Sequence, residues 1–205
     1  ALWDGHVTLN AGIAETDVSS ADKNLLDRVF VCGSRISYLP VVLADSIEYF
    51  RQNAIDFSSD VWFEHENIPL QSNLPIGVLY DMYGGKIISM KIMVHFQAFP
   101  VQKLLKCTTS VQCEQMYFHS LKQALFVLHG NTRAFNELSV EQQRKLWQST
   151  QTGNLIEFEG VAVAMRPSAE LSDSNSTRSI QSLRGLPVRV VRKNKPTLQR
   201  PVSIF

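Results

Sequence analysis

The chain has 205 residues, 44% of them apolar and 19% charged, the composition of one or two folded domains with a substantial core. Twenty Lys and Arg against nineteen Asp and Glu leave a net charge of +1, which excludes a globally basic nucleic-acid binder and an acidic disordered chain. No window offers about 18 consecutive apolar residues and Ala1–His6 has no basic-then-apolar pattern, so neither a membrane span nor a secreted chain is expected.

Val7–Leu9 and Val29–Val31, separated by turn-forming residues, predict an early strand pair. Val42, Leu43, Ile47, Phe50 and Ile55 then recur at three to five residues behind Pro40, and the spacing predicts one helix over Pro40–Asn53. Val61–His65 and Ile68–Leu70 flank Glu66-Asn67 as a hairpin, with Pro69 placing the second strand at an edge. Pro75 opens a short helix over Ile76–Tyr83 that Gly84-Gly85 ends. Ile88, Met90, Ile92, Val94 and Phe96 alternate with Ser89, Lys91, Met93 and His95, the period of a strand with one face in the core. Strand pair, helix, hairpin, short helix and long strand follow one another in the order of a ubiquitin-like β-grasp.

From Val111 the period becomes helical: Tyr117, Phe118, Leu121, Ala124, Leu125 and Leu128 form one stripe, and Gly130 is the C-cap. Ser139 with Gln142 reads as a capping box opening a helix through Leu146 and Trp147 to Gly153. Asn154 with Glu157 repeats the pattern for a further helix that Pro167 stops. Pro167 to Ser182 is polar and reads as a linker. Leu186–Arg192 and Pro201–Phe205 are strand candidates around Lys193-Asn194-Lys195-Pro196, a hairpin that needs a further pairing partner. Charge is uneven: the seven basic residues after Asp173 face no carboxylate, leaving thirteen against nineteen, or −6, before it. This basic tail reads either as a solvated strand face or as a membrane-surface or phosphate contact.

Cys32, Cys107 and Cys113 cannot form a fully paired disulfide set and read as free thiols of a reducing compartment, with cytoplasm as the default. A thiol-nucleophile reading would need Cys113 with His119 or His129, yet six residues on a helix rotate Cys113 and His119 onto different faces. Cys107 and Cys113 are spaced too far apart for a usual structural zinc pair, no phosphate-binding, dinucleotide or hydrolase motif occurs, and neither catalysis, a metal nor a cofactor is expected. Lys122 lies on the flank of the apolar stripe beside Phe118 and His129, with Phe126 projecting further round. The position fits either a solvated lysine whose stem covers apolar surface or a protein-contact or modification site.

Several strings are more specific than patterns. Arg35-Ile36-Ser37-Tyr38-Leu39, Val61-Trp62-Phe63-Glu64-His65, Asn73-Leu74-Pro75-Ile76-Gly77-Val78-Leu79-Tyr80-Asp81, Val94-His95-Phe96, Phe118-His119-Ser120-Leu121-Lys122-Gln123-Ala124, Leu146-Trp147, Leu186-Pro187-Val188-Arg189-Val190 and Arg200-Pro201-Val202 stand in one order along the chain. In this order the sequence resembles the autophagy protein 5 family nearly end to end, up to the opening hairpin of a second ubiquitin-like domain. The resemblance implies an α+β chain: a ubiquitin-like β-grasp domain over 1–106, a helix-rich region over 107–166, a flexible linker over 167–183, and the opening hairpin of a second, here incomplete, ubiquitin-like domain over 184–205.

It also implies function. The family accepts the ubiquitin-like modifier autophagy protein 12 on one lysine, whose motif position falls on Lys122; that Phe118, Phe126 and His129 surround it is an expectation from the helical wheel alone. The modifier is held covalently, or non-covalently in some lineages. Autophagy proteins 10 and 3 would be the conjugating enzymes and autophagy protein 16 a further partner. The assembly would promote lipidation of autophagy protein 8 with phosphatidylethanolamine, as a ligase-like scaffold without catalytic residues, nucleic acid or cofactor. The expected location is the cytoplasm with peripheral attachment to the preautophagosomal or phagophore membrane. The alternative is a module that binds the same modifier through its surface alone.

Overall fold

A computed structural model describes residues 3–18, 27–52, 60–85, 87–165, 186–192 and 195–202. Its contacts divide the chain into two compact units, Ala1–Met116 with Gln151–Gly153, and Tyr117–Thr150 with Asn154–Phe205.

The first unit is built on five strands: β1 (His6–Ile13), β2 (Val29–Ser34), β3 (Trp62–His65), β4 (Ile68–Pro69) and β5 (Ser89–His95), in sheet order β2-β1-β5-β3-β4. β1 runs antiparallel to β2, with Val7 opposite Gly33, and parallel to β5, with Leu9 opposite Met90. Alternation sends Val7, Leu9, Ala11 and Ile13 of β1, and Met90, Ile92 and Val94 of β5, to one buried face. Helices α1 (Leu39–Val42) and α2 (Ala44–Arg51) cover that face with Leu39, Ile47 and Phe50, joined by Leu43 between them. Gly33 lets α1 approach, since a Cβ there would stand 2.8 Å from Val42 Cγ1. This mixed sheet with a helical layer on one face is the ubiquitin-like β-grasp expected from the element order.

The single helix expected over Pro40–Asn53 is two. Leu43, at φ −96° and ψ 12°, leaves helical geometry between them, and its fully buried side chain keeps the apolar spacing in step across the break; Asn53 lies outside the described residues. The hairpin holds as expected. His65 pairs with Ile68 across Glu66 and Asn67, both left-handed at φ 48° and 63°, the backbone a two-residue turn between twisted strands requires. Pro69 is on the edge strand. Helix α3 (Ile76–Leu79) continues as a π-helical turn through Gly84, capped by Gly85. Ile88, expected to open the inner face of β5, is 95% exposed because the pairing with β1 begins only at Ser89.

Among the described residues of this unit, Asp17 is the buried charged group. It is 2% exposed, and its carboxylate accepts from the Phe96 N–H just past β5 and from Thr16 Oγ. Beside it on the outer face of the sheet, the His95 ring stacks on Trp62 at 3.8 Å, with Nε2 3.6 Å from Glu64. Trp62 is held by donating to the Gln97 carbonyl at 2.8 Å.

The second unit combines helices with a strand pair, and the helices Ser110–His129 and Val140–Thr152 have residues in both units. Helix α4 (Ser110–His129) starts behind Thr109, whose Oγ accepts from Gln112 N, and ends at Gly130 with φ 72°. Helix α5 (Arg133–Asn136) follows, then α6 (Val140–Thr152), opened by the reciprocal box in which Gln142 N donates to Ser139 Oγ and Ser139 N to Gln142 Oε1. Asn154 caps α7 (Leu155–Ala162) through Glu157 N. Leu125, Phe135, Leu138, Leu146, Val161 and Met165 form its core, with Tyr117, Phe118 and Leu121 packed against it. The expected stop at Pro167 and the linker fall outside the described residues. Strands β6 (Leu186–Arg192) and β7 (Lys195–Val202) pair antiparallel, Leu186 with Val202 and Arg192 with Lys195. The second strand therefore starts at Lys195 rather than Pro201. With Arg192 opposite Lys195, the residues Lys195 and Pro196, read from their type as turn, belong to the strand. Among the described residues these strands pair only with each other.

Two outcomes follow from the first unit. Asp17→Ala strands the Phe96 amide in the core, and urea unfolding should show a loss of about 2 kcal/mol. Burial pushes the His95 imidazole below the usual histidine range, against the opposing pull of the Glu64 and Asp17 carboxylates. The folded state thus prefers the neutral ring. Its contribution to stability is complete above about pH 6.5 and declines as pH falls through that value toward the folded pKa. His95→Phe, which keeps a ring on Trp62, should show a shallower fall in thermal midpoint between pH 7 and pH 5 than the wild type.

Candidate functional site

His119, Lys122, Gln123, Phe126 and Val127 are spaced three, one, three and one apart, so the helix places them on one face of α4. With Thr132, beyond the Gly130 turn, they line an open depression of about 500 Å³. No carboxylate is among these lining residues.

Lys122 is half-buried, and its Nζ lies 4.9 Å from the centroid of the Phe135 ring. That ring is 2% exposed, is part of the helical core, and meets Phe118 at 5.3 Å with a 56° tilt. The amine thus lies on an aromatic face that the core itself holds still, a cation–π contact of about 0.5–1 kcal/mol at such a site. Phe126, 59% exposed, adds an apolar surface to the same depression.

A second set of contacts fixes the polar side. Arg189 of β6 donates to Gln123 Oε1 at 2.6 Å and to Ser120 Oγ at 3.1 Å. With its oxygen so engaged, the Gln123 amide directs its NH₂ at His119 Nε2, 2.9 Å away. That nitrogen is then the acceptor, and the neutral ring carries its proton on Nδ1.

The residues singled out from sequence are distributed as follows. Lys122 and Phe126 line the depression, and Phe118 touches Phe135 from the core side. His129 is outside the lining set, at the helix end, where its carbonyl accepts from Asn131. Cys113 is fully buried with its thiol 3.1 Å from that of Cys107, whereas His119 is exposed and bonded to Gln123; the contacts of neither residue assemble a nucleophile–base pair. Phe135, Gln123, Thr132 and Arg189 were missed. Phe135 sits on a one-turn helix too short for a periodic signal, although the Arg133–Glu137 pairing at i,i+4 marks that turn. Arg189 reaches Gln123 from 66 residues away along the chain, and no local pattern carries such a contact. Chemically, the site offers a primary amine at the wall of an open, partly aromatic hollow; any electrophile must come from another molecule. Among the described residues no helix is long and apolar enough to cross a membrane.

Comparison with known proteins bears on both units. Residues 2–96 match the family model described as Autophagy protein ATG5, UblA domain, and residues 110–168 match Autophagy protein ATG5, alpha-helical bundle region. Autophagy protein 5 of Oryza sativa subsp. indica is 30% identical over 166 residues, covering 80% of this chain and 43% of the rice protein. The Aspergillus oryzae protein of the same name is 27% identical over 93% of this chain and 63% of its own length. That of Arabidopsis thaliana is 25% identical over 100% of this chain and 61% of its own. The chain thus spans 43% to 63% of the length of these curated relatives. The crystal structure of Kluyveromyces marxianus Atg5 superposes with a TM-score of 0.81 over 98% of this chain and 76% of that one, at 21% identity, a likeness of fold.

Arg189→Ala should release the Gln123 amide. In long-range ¹H–¹⁵N spectra of the imidazoles, the wild-type protein at neutral pH should show His119 protonated on Nδ1, and the variant should shift toward a mixture of tautomers.

Proposed function

The chain belongs to the autophagy protein 5 family, and on that premise we propose that it is a non-catalytic scaffold of autophagy whose Lys122 accepts the C-terminal glycine of autophagy protein 12. The observation that carries this reading is the Lys122 amine, lying on the Phe135 ring at the wall of an open depression beside exposed Phe126.

In the step so assigned, the neutral amine of Lys122 attacks the thioester carbonyl of a modifier carried by autophagy protein 10. The C–N bond forms, the C–S bond breaks, the enzyme's thiolate leaves, and the amine's proton passes to water. The thioester supplies the driving force, so the acceptor contributes position. A helix fixes the direction of the stem, and the ring beneath the amine restricts its arc. The conjugate would then hold autophagy protein 16 and the charged form of autophagy protein 3 near a membrane, promoting transfer of autophagy protein 8 to phosphatidylethanolamine by proximity. Peripheral membrane attachment and a cytoplasmic location belong to the same proposal. Phe126, with the open hollow around it, equally suits a modifier held by surface contact alone, the second reading.

Co-expression with the modifier and its conjugating enzymes, followed by denaturing electrophoresis, tests both readings. A shifted band in the wild type that is absent from Lys122→Arg is the expected result. A band that persists in Lys122→Arg overturns the acceptor assignment. No shift in the wild type, with co-purification under native conditions, establishes the non-covalent module instead.

A further inference from the structure

Cys107 and Cys113 have no part in the reading above, yet both are buried, at 1% and 0% exposure, and their sulfurs are 3.1 Å apart. That is closer than two unbonded sulfurs ordinarily pack and about 1 Å longer than a disulfide bond. The segment between them is held in one conformation. Thr108 N and Thr109 N both donate to Gln112 Oε1, and Gln112 N donates back to Thr109 Oγ at the first turn of α4. The third cysteine, Cys32, is exposed on β2.

From this geometry we propose that Cys107 and Cys113 form a peroxide-reactive dithiol that closes to an intramolecular disulfide at the N-terminus of α4. The roles are unequal. A hydrogen bond from Cys113 holds the Cys107 thiol below the usual range, outweighing burial. The same hydrogen bond, and after it burial, push the Cys113 thiol up, so it remains the protonated member. The Cys107 thiolate attacks one oxygen of hydrogen peroxide, the O–O bond breaks, and hydroxide leaves to take up the proton Cys107 released. The sulfenic acid formed is then attacked by the Cys113 sulfur. The S–S bond forms, the S–O bond breaks, and the oxygen departs as water with the Cys113 proton. Two thiols lose two electrons and two protons in all, and one peroxide becomes two waters. Peroxide is the fitting oxidant because it is small enough to reach a pair that bulkier disulfides cannot.

The folded chain is treated with hydrogen peroxide, quenched, alkylated after unfolding and digested for mass mapping. The expected product is a peptide pair linked through Cys107 and Cys113, lighter by two hydrogens and restored by reductant, with Cys32 outside the link. Cys113→Ala should leave Cys107 as a sulfenic acid that dimedone traps when it is present during unfolding, and Cys107→Ala should leave Cys113 reduced. Recovery of both thiols fully alkylated in the treated wild type overturns the proposal, as does a link that forms only when peroxide is added to unfolded chain. The wild-type mapping decides the question even where a variant fails to fold.

Discussion

The first unit depends on the parallel pairing of β1 with β5. These strands are 75 or more residues apart in the chain, and pairs such as Leu9 with Met90 close a long loop. The pairing carries a loop-closure cost that local hydrogen bonds cannot offset. What offsets it is the buried face that Val7, Leu9, Ala11 and Ile13 build with Met90, Ile92 and Val94 under α1 and α2. Asp17 reinforces the same closure by tying the end of the β1 connection to the Phe96 amide beyond β5. A charged group so deep in the core is tolerated because its oxygens are occupied.

In the second unit the governing constraint is that one helix serves two surfaces. The stripe of α4 around Leu121 and Leu125 faces the core, and the neighbouring face bears His119, Lys122, Gln123, Phe126 and Val127. Phe135 belongs to both, buried against Phe118 on one side and presented to the Lys122 amine on the other. The order of the amine is therefore inherited from core packing. A side chain resting on a buried ring gives up some of the rotamer freedom of an ordinary surface lysine.

Elements with strong local signals were legible in the sequence. The two-residue period of β5, the Glu66-Asn67 hairpin and the Ser139–Gln142 and Asn154–Glu157 caps all rest on contacts within a few residues. Where the reading departed from the structure, a competing contact decided. Leu43 breaks a helix whose apolar spacing is unbroken, because the spacing registers which side faces the sheet and not the backbone angle. Ile88 fits the β5 alternation, yet the strand starts where its partner β1 starts. Lys195 and Pro196 read as a turn, although the pairing of Arg192 with Lys195 draws them into a ladder. Of the site, Lys122 and Phe126 were placed by the helical wheel. Phe135 and Arg189 were not, because both arrive from other elements and chain-local patterns do not encode tertiary neighbours.

On the proposed scaffold reading, the site needs no nucleophilic triad. The energy of amide formation resides in the thioester, and the helix face need only select one amine among the several on the surface. Selection requires that the amine be accessible, that its stem direction be fixed and that the surface around it admit a partner. The open depression, the Phe135 platform and the exposed Phe126 meet these three needs in turn. Arg189, by holding Gln123 and through it His119, keeps the polar side of the hollow in one arrangement. Order at such a site costs conformational entropy before a partner arrives, and a partner that meets an ordered surface has correspondingly less to lose on docking.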